Sequence, residues 1–419
     1  MKARAPNPES AAHAQELRVP QLHRRRDVKM ARDAHAYVRG STAQFYEWLA
    51  TTQGRGIPQG PTVWICGDAH VGNLGPIARC NAQIEVELRD LDQTVPGNPA
   101  HDLVRLALSL AMAARSSDLP GVVTARLVEE LMSGYLDAFE NPGDTTAATD
   151  SAAVRFVVRE ARRKWRHLHR DRIGKKPRFP LGDRFWPLVD EERTAVERFL
   201  DKERVRQLVT RLDCRDDQAR IRLLDAAYWV KGCSSLGLWR CAALIGVVGQ
   251  VQGDGGYALL DIKEAIATVA PSARPAQIPT HQGERVVLGA RALSPTLGER
   301  MLAGTILNHP VFVRELMPQD LKLELEMMDD VEARATARAL ARIVGLAHAR
   351  QLDAATRDQW RKELSQSHTR SMDAPPWLWA GVVELIGIHE RAYLQHCRRY
   401  VLDLEKSREK AAQAEPAER

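Results

Sequence analysis

Apolar residues change their spacing several times along this chain, and each spacing predicts an element. In "HDLVRLALSLAMAAR" (101–115) and from Val122 to Phe139 they recur at the spacing of a buried helix. In "AQIEVELRDLD" (82–92) they alternate with charge, which predicts a half-buried strand. "PTVWICGDAH" (61–70) opens on a shorter strand run. The texture changes at Asp225: "AAYWVKGCSSLGLWRCAALIGVVGQVQGDGGYALLDIKEA" (226–265) reads as three strands separated by two glycine turns. "HQGERVVLGARAL" (281–293) follows as a helix and "VFVREL" (311–316) as a short strand. Beyond Pro318 the pattern is helical over 319–329, 331–352, 356–366 and 377–404.

Residues 1–24 read as a disordered lead. "LHRRRDVKMARDAHAYVRG" (22–40) combines basic residues with helical spacing, "STAQFYEWLATT" (41–52) continues it, and Gly54 to Pro61 is a breaker-rich loop. Four further parts follow: a helical part with loops and a helical insert (25–224), a sheet part (225–318), more helices (319–404) and a charged tail (405–419). The expected class is α+β, with a small antiparallel sheet lobe beside a large helical lobe.

At 419 residues the chain is long enough for two or three compact units. Hydrophobic residues make up 44% and charged residues 27%, an ordinary balance for a soluble protein. No apolar run approaches the roughly 20 residues that span a bilayer. The opening residues lack a secretory apolar core, and the six cysteines form no CxxC pair. A cytoplasmic protein with free thiols is expected. The net charge of +6 weakly favours phosphate-bearing partners. Aromatic residues are only 5%, with no RNA-stacking signature, so nucleic acid is the less favoured partner.

"CGDAHVGN" (66–73) places a carboxylate, a histidine and an asparagine at a strand end, where ligands bind in α/β folds. By itself it also suits a tight turn. "GCSSLG" between two strands offers Gly232, Ser234, Ser235 and Gly237 as a loop that lets backbone N–H groups approach phosphate, though a hairpin needs glycines too. Lys263 lies on the next strand and Glu284 on the following helix. Glycine loop, strand lysine and helix glutamate are three parts of a kinase-type phosphate clamp. Glu264 is the other candidate partner of Lys263, but adjacent strand residues face opposite ways. Asp68 and Asn73 have the D-x-x-x-x-N spacing of a kinase catalytic loop, with Asp68 orienting a hydroxyl and Asn73 holding Mg²⁺. Asp90 and Asp92 are the further metal ligands, with the principal one left open. His70 fits a loop-bracing role, and Asp102 a helix cap or a brace of the catalytic loop.

These stretches resemble the "HGD-x-H-x-x-N … D … DL" signature of aminoglycoside and choline kinase-like phosphotransferases, with Cys66 in place of its first histidine. Over most of residues 25–350 the chain more closely resembles a bacterial family catalogued as domain of unknown function 2252. "KMARDAHAYVRG", "CGDAHVGNLG", "RDLDQTVPGNPAHDLVRLALSL", "GCSSLG", "LLDIKEA" and "VFVRELMPQDLK" carry that resemblance. The kinase resemblance implies a two-lobed fold that binds ATP with Mg²⁺ (Mn²⁺ as a substitute). A hinge-like "VFVRELM" places Glu315 and Met317 at the nucleotide. In ordinary kinases the glycine loop and lysine come before the catalytic loop; here they follow it, which implies circular permutation. The expected activity is phosphoryl or nucleotidyl transfer to a small-molecule or protein acceptor. A two-metal phosphoesterase and a nucleotide-binding pseudokinase or scaffold are the alternatives. Arg39 belongs to the family-like stretch without a role. The basic stretch 155–178 reads as a solvated helix face or a contact for a phosphate-bearing partner.

Overall fold

In the computed structural model, residues 8–414 are described apart from 52–55, 82, 118–119, 144–151, 153, 156–157, 161–177, 250–255, 275–277, 317–328 and 366–373, with side chains described from Ala11 to Val401. Met317, the helix expected over 319–329 and most of the basic stretch 155–178 lie outside the described residues.

Three helices lead the chain: α1 (Pro8–Met30), α2 (Ala34–Gly40) and α3 (Thr42–Leu49). The expected disordered lead is therefore corrected, since α1 covers most of it. Several of its polar side chains are docked rather than solvated. Arg18 binds Glu192 through two hydrogen bonds of 2.6 and 2.9 Å, and Leu22 is buried. Next come β1 (Val63–Ile65), β2 (Leu74–Ala78), β3 (Ile84–Leu88) and β4 (Val95–Gly97). They form two small antiparallel pairs, β1 with β4 and β2 with β3.

α4 (Pro99–Ser116) follows, its first turn set by Pro99 and by the Asn98 side chain accepting from Ala100 N–H. Nearly every residue from Pro99 to Ala114 is buried, so this helix forms the centre of the helical core, with Asp102, Arg105 and Ser109 as its buried polar positions. α5 (Gly121–Glu140) packs beside it.

The main sheet has six antiparallel strands. After β5 (Phe185–Trp186), α6 (Asp190–Leu200) and α7 (Glu203–Thr210) come β6 (Arg220–Trp229), β7 (Arg240–Val248) and β8 (Tyr257–Glu264). Then follow α8 (Gln282–Leu293), a single turn Pro295–Gly298, β9 (Met301–Ile306) and β10 (His309–Glu315). The spatial order is β5-β6-β7-β8-β10-β9, which makes β8 an interior strand. The sheet has its own core and starts earlier than the expected residue 225.

Three helices complete the chain: α9 (Asp330–Ala349), α10 (Ala354–Ser365) and α11 (Pro376–Ala414). α9 lies close against α5 because glycines meet there. A Cβ on Gly134 would stand 2.1 Å from the Arg338 carbonyl oxygen. The tail expected from residue 405 continues as helix to Ala414, in keeping with its Glu, Lys and Ala content. Among the described residues no helix is long and apolar enough to cross a membrane.

Candidate active site

The loop after β1 is held from several sides. Gly67 has φ +75°, and a Cβ there would stand 2.2 Å from the Gln93 carbonyl oxygen, so only glycine fits. Asp102, in the first turn of α4, accepts from the backbone N–H of Cys66 (2.7 Å) and of Gly67 (2.9 Å). His348 Nε2 of α9 lies 3.2 Å from the same carboxylate, and Tyr135 hydroxyl lies 3.0 Å from His348 Nδ1. Asp102 is thus the expected brace of the loop, at the end of a buried Tyr–His–Asp chain. Burial, then Asp102, pushes the Cys66 thiol well above its usual value, so Cys66 stays protonated.

Asp68 Oδ1 accepts from Arg105 Nε at 2.9 Å. Burial raises the Asp68 carboxyl above its usual range, against the pull of Arg105. His70 Nε2 stands 4.0 Å from Asp68 Oδ2. Burial, then the charges of Arg39 and Arg105, hold His70 well below its ordinary value, so it is neutral at neutral pH.

Asn73 turns its amide onto its neighbours. Its Nδ2 donates to Asp90 O at 2.6 Å and its Oδ1 accepts from Asp90 N–H at 2.6 Å. That geometry corrects the expected metal-ligand role: Asn73 positions Asp90. Asp90 and Asp92 both meet Lys263. Asp92 Oδ2 pairs with Lys263 Nζ directly, and Asp90 Oδ1 is 3.6 Å away. The lysine is 2% exposed, and both aspartates face it. Desolvation works against the Asp90 charge, but Lys263, Arg314 and Arg240 override it and hold this carboxyl well below its usual value. Burial and the Asp90 charge push Asp92 up to about 6, against Lys263.

Ser234 and Ser235 of the glycine loop line a cleft with Asp92, Gln93, Glu264 and Ile266. Gly232 and Gly237 adopt φ +97° and +111°, and their carbonyls accept from Lys29 Nζ and Gln15 Nε2 of α1, each at 2.8 Å. Glu264 accepts from Trp239 N–H at 2.8 Å and pairs with His309 at 3.0 Å, not with Lys263.

Two further expectations are corrected. Glu284 is exposed at the start of α8 and makes no ion pair with Lys263 among the described residues. One helical step turns a side chain by about 100°, so it is Arg285 that faces inward. Arg285 donates to the carbonyls of Asp92 (2.8 Å), Thr94 (2.7 Å) and Ile266 (2.9 Å). Glu315 is buried in ion pairs with Arg215 (2.9 Å) and Arg300 (3.6 Å), so its carboxylate is spent on structure.

The family model for uncharacterised proteins conserved in bacteria, DUF2252, matches residues 18–399. The chain belongs to the DUF2252 family. No curated protein and no solved structure matches it. In this DUF2252 chain the sequence reading missed a charged row on the sheet. Asp261 on β8 binds Arg240 on β7 (2.6 and 2.8 Å) and Arg314 on β10 (3.0 and 3.2 Å). Alternation puts Asp261 and Lys263 on one face, which was a readable signal. Arg105 was readable too, three positions after Asp102 on the same helix face. Beyond the charges, Trp229, Ala242, Leu259 and Leu316 form an apolar patch packed by Phe179 and Phe185.

Proposed function

We propose that the protein is an ATP- and Mg²⁺-dependent transferase with a circularly permuted kinase-like fold, moving a phosphoryl group to a hydroxyl acceptor. Nucleotidyl transfer is the same reading with the α-phosphate presented. The observation that carries it is the junction of Lys263, on an interior strand, with Asp92 from a loop 171 residues away. A buried lysine facing two carboxylates beside a glycine loop suits a triphosphate and its cation. The permutation draws support from α9, which follows the sheet in sequence yet braces the Asp68 loop through His348.

The residues fit Mg²⁺. Asp92 Oδ1 is buried without a hydrogen-bond partner, and Asp90 is half exposed beside it. Mg²⁺ takes one or two carboxylates and completes its shell with phosphate and water. When bound, it neutralises phosphate charge. Asp68 works from the other side: Arg105 engages Oδ1, leaving Oδ2 to receive the acceptor's proton. The acceptor oxygen forms the new O–P bond as the bond to the leaving diphosphate oxygen breaks, its electron pair staying on that oxygen. Lys263 holds the phosphates in line. The resemblance brings the base beside Leu316, against the apolar patch that Phe179 packs.

Calorimetry and thermal unfolding test this. Mg·ATP at about 100 times its Kd should add about 2.7 kcal/mol of stability. Lys263→Met should remove that gain, and hydrolysis or transfer separates an enzyme from a pseudokinase. Absence of any shift with saturating ATP or GTP and Mg²⁺ or Mn²⁺ overturns the reading. The phosphoesterase alternative gains no support, since no group of three metal-ligating side chains gathers among the described residues.

A further inference from the structure

At the Asp68 loop, three buried side-chain nitrogens have no hydrogen-bond partner: Arg39 Nε, His70 Nδ1 and Arg105 Nη1. A buried polar group left unpaired costs about 1–3 kcal/mol, so three beside one carboxylate mark a place for an acceptor group. Arg105 is fully buried and His70 is 8% exposed. Arg39, near the end of α2, is half-buried and makes no ion pair among the described residues. Its guanidinium lies against Gly72, where a Cβ would stand 3.0 Å from Cζ, so the glycine makes room for it. Arg105 Nη2 donates to Val38 O at 2.6 Å, which ties the two arginines to one corner of α2 and α4. The Arg39 charge acts on His70 of the Asp68 loop and on Cys233 of the glycine loop. Three guanidinium groups, of Arg39, Arg89 and Arg105, against the carboxylates of Asp68 and Asp90 leave this corner net positive.

We infer that Arg39, His70 and Arg105 form an anion position beside Asp68, which holds a phosphate or carboxylate group of the acceptor. The proposal rests on the transferase reading for the word acceptor, but the anion position stands on the two unpaired guanidinium N–H groups and the unpartnered His70 nitrogen beside them. Arginine's planar fork matches either oxyanion. Neutral His70 adds an N–H donor in its Nδ1–H tautomer. The nucleotide's phosphates have a separate place at Lys263. The acceptor class is therefore an anionic alcohol, a sugar phosphate or hydroxy acid in general chemistry, rather than a polycation.

The test titrates the full chain, without nucleotide, with inorganic phosphate and separately with acetate. Heat and the ring NMR signals of His70 report binding. Wild type should bind at least one of the two and shift the His70 signals; phosphate over acetate marks a phosphorylated acceptor, the reverse an acid. Arg39→Gln should weaken binding roughly tenfold, the loss of one charge-assisted contact. Mg·ATP affinity, measured on the same variant, should hold within about twofold. Arg39→Lys keeps the charge and loses the fork, so it should recover part of the binding, and it serves alone if Arg39→Gln does not fold. No anion binding by the wild type, or binding indifferent to Arg39, overturns the proposal. So does a parallel loss of Mg·ATP affinity, which would give Arg39 to the nucleotide. Anion binding that depends on Arg39 in a protein that ignores Mg·ATP keeps the position and removes the transferase reading.

Discussion

Asp68 stands between burial, which raises its carboxyl, and Arg105, which pulls it down. A carboxylate raised in this way accepts a proton nearer neutrality than a free one. Asp68→Asn should leave Mg·ATP binding intact and cut kcat by roughly 10²–10⁴, measured once an acceptor is in hand. The acid limb of the wild-type kcat profile should lie above the ordinary carboxylate range. Glu87 on β3 gives a pH prediction that needs no function. Burial, with Arg350 opposing, pushes it from 4.5 up to about 7. Between those values the folded chain keeps a proton that the unfolded chain has lost, so stability falls as pH rises through the window. The displacement corresponds to roughly 3 kcal/mol, and Glu87→Gln should flatten the slope in urea unfolding. An unchanged slope would show that other groups set it. At this scale Asp68, Asp90, Asp92 and Lys263 were legible because motif spacing names them. Glu284 was not, because the sequence gives helix phase only to within a residue and Arg285 is the one turned inward. Glu315 was read from a hinge resemblance, which says nothing about two arginines arriving from elsewhere.

At the level of elements, α1 is the clearest departure from the sequence pattern. Its apolar positions are sparse, and it is fastened by polar contacts that become visible only with their partners. Arg18 and Trp239 both bind the fully buried Glu192, and Arg18 also covers the Tyr228 ring at 4.6 Å. Removing one partner of a buried pair costs about 3–5 kcal/mol, so Arg18→Ala should lower the denaturant midpoint strongly. Full stability in that variant would show α1 to be loosely attached. Gly67→Ala tests the loop itself: its positive φ alone implies about 1–3 kcal/mol of strain, and the Gln93 carbonyl blocks the added methyl group. The long helices and β7, β8 and β10 followed their spacing. β2, β4, β5 and β9 were missed because strands of two to six residues, three of them holding glycine or proline, carry little periodicity.

For the whole molecule, the order of elements was readable, and the kinase resemblance implied that Lys263 meets the Asp90–Asp92 loop, but the other long-range meetings were not legible. Lys263 reaches Asp92, α9 reaches α4, and α11 returns to α1, where His396 Nε2 lies 3.0 Å from Asp27 O and Tyr393 hydroxyl donates to Ala31 O at 3.3 Å. Composition says only that two cores fit in this length. The buried Tyr135–His348–Asp102 chain has a consequence in time. On a ribosome Asp102 emerges 246 residues before His348. At about 5–20 residues per second, that is a wait of roughly 12–50 s. Through it the Asp68 loop has its own capping carboxylate but not the helix that seats it. A newborn chain should therefore hold this loop unlatched until α9 has left the exit tunnel. Nascent chains stalled before residue 330 should show the loop cut by protease, and chains stalled well past residue 349 should show it protected.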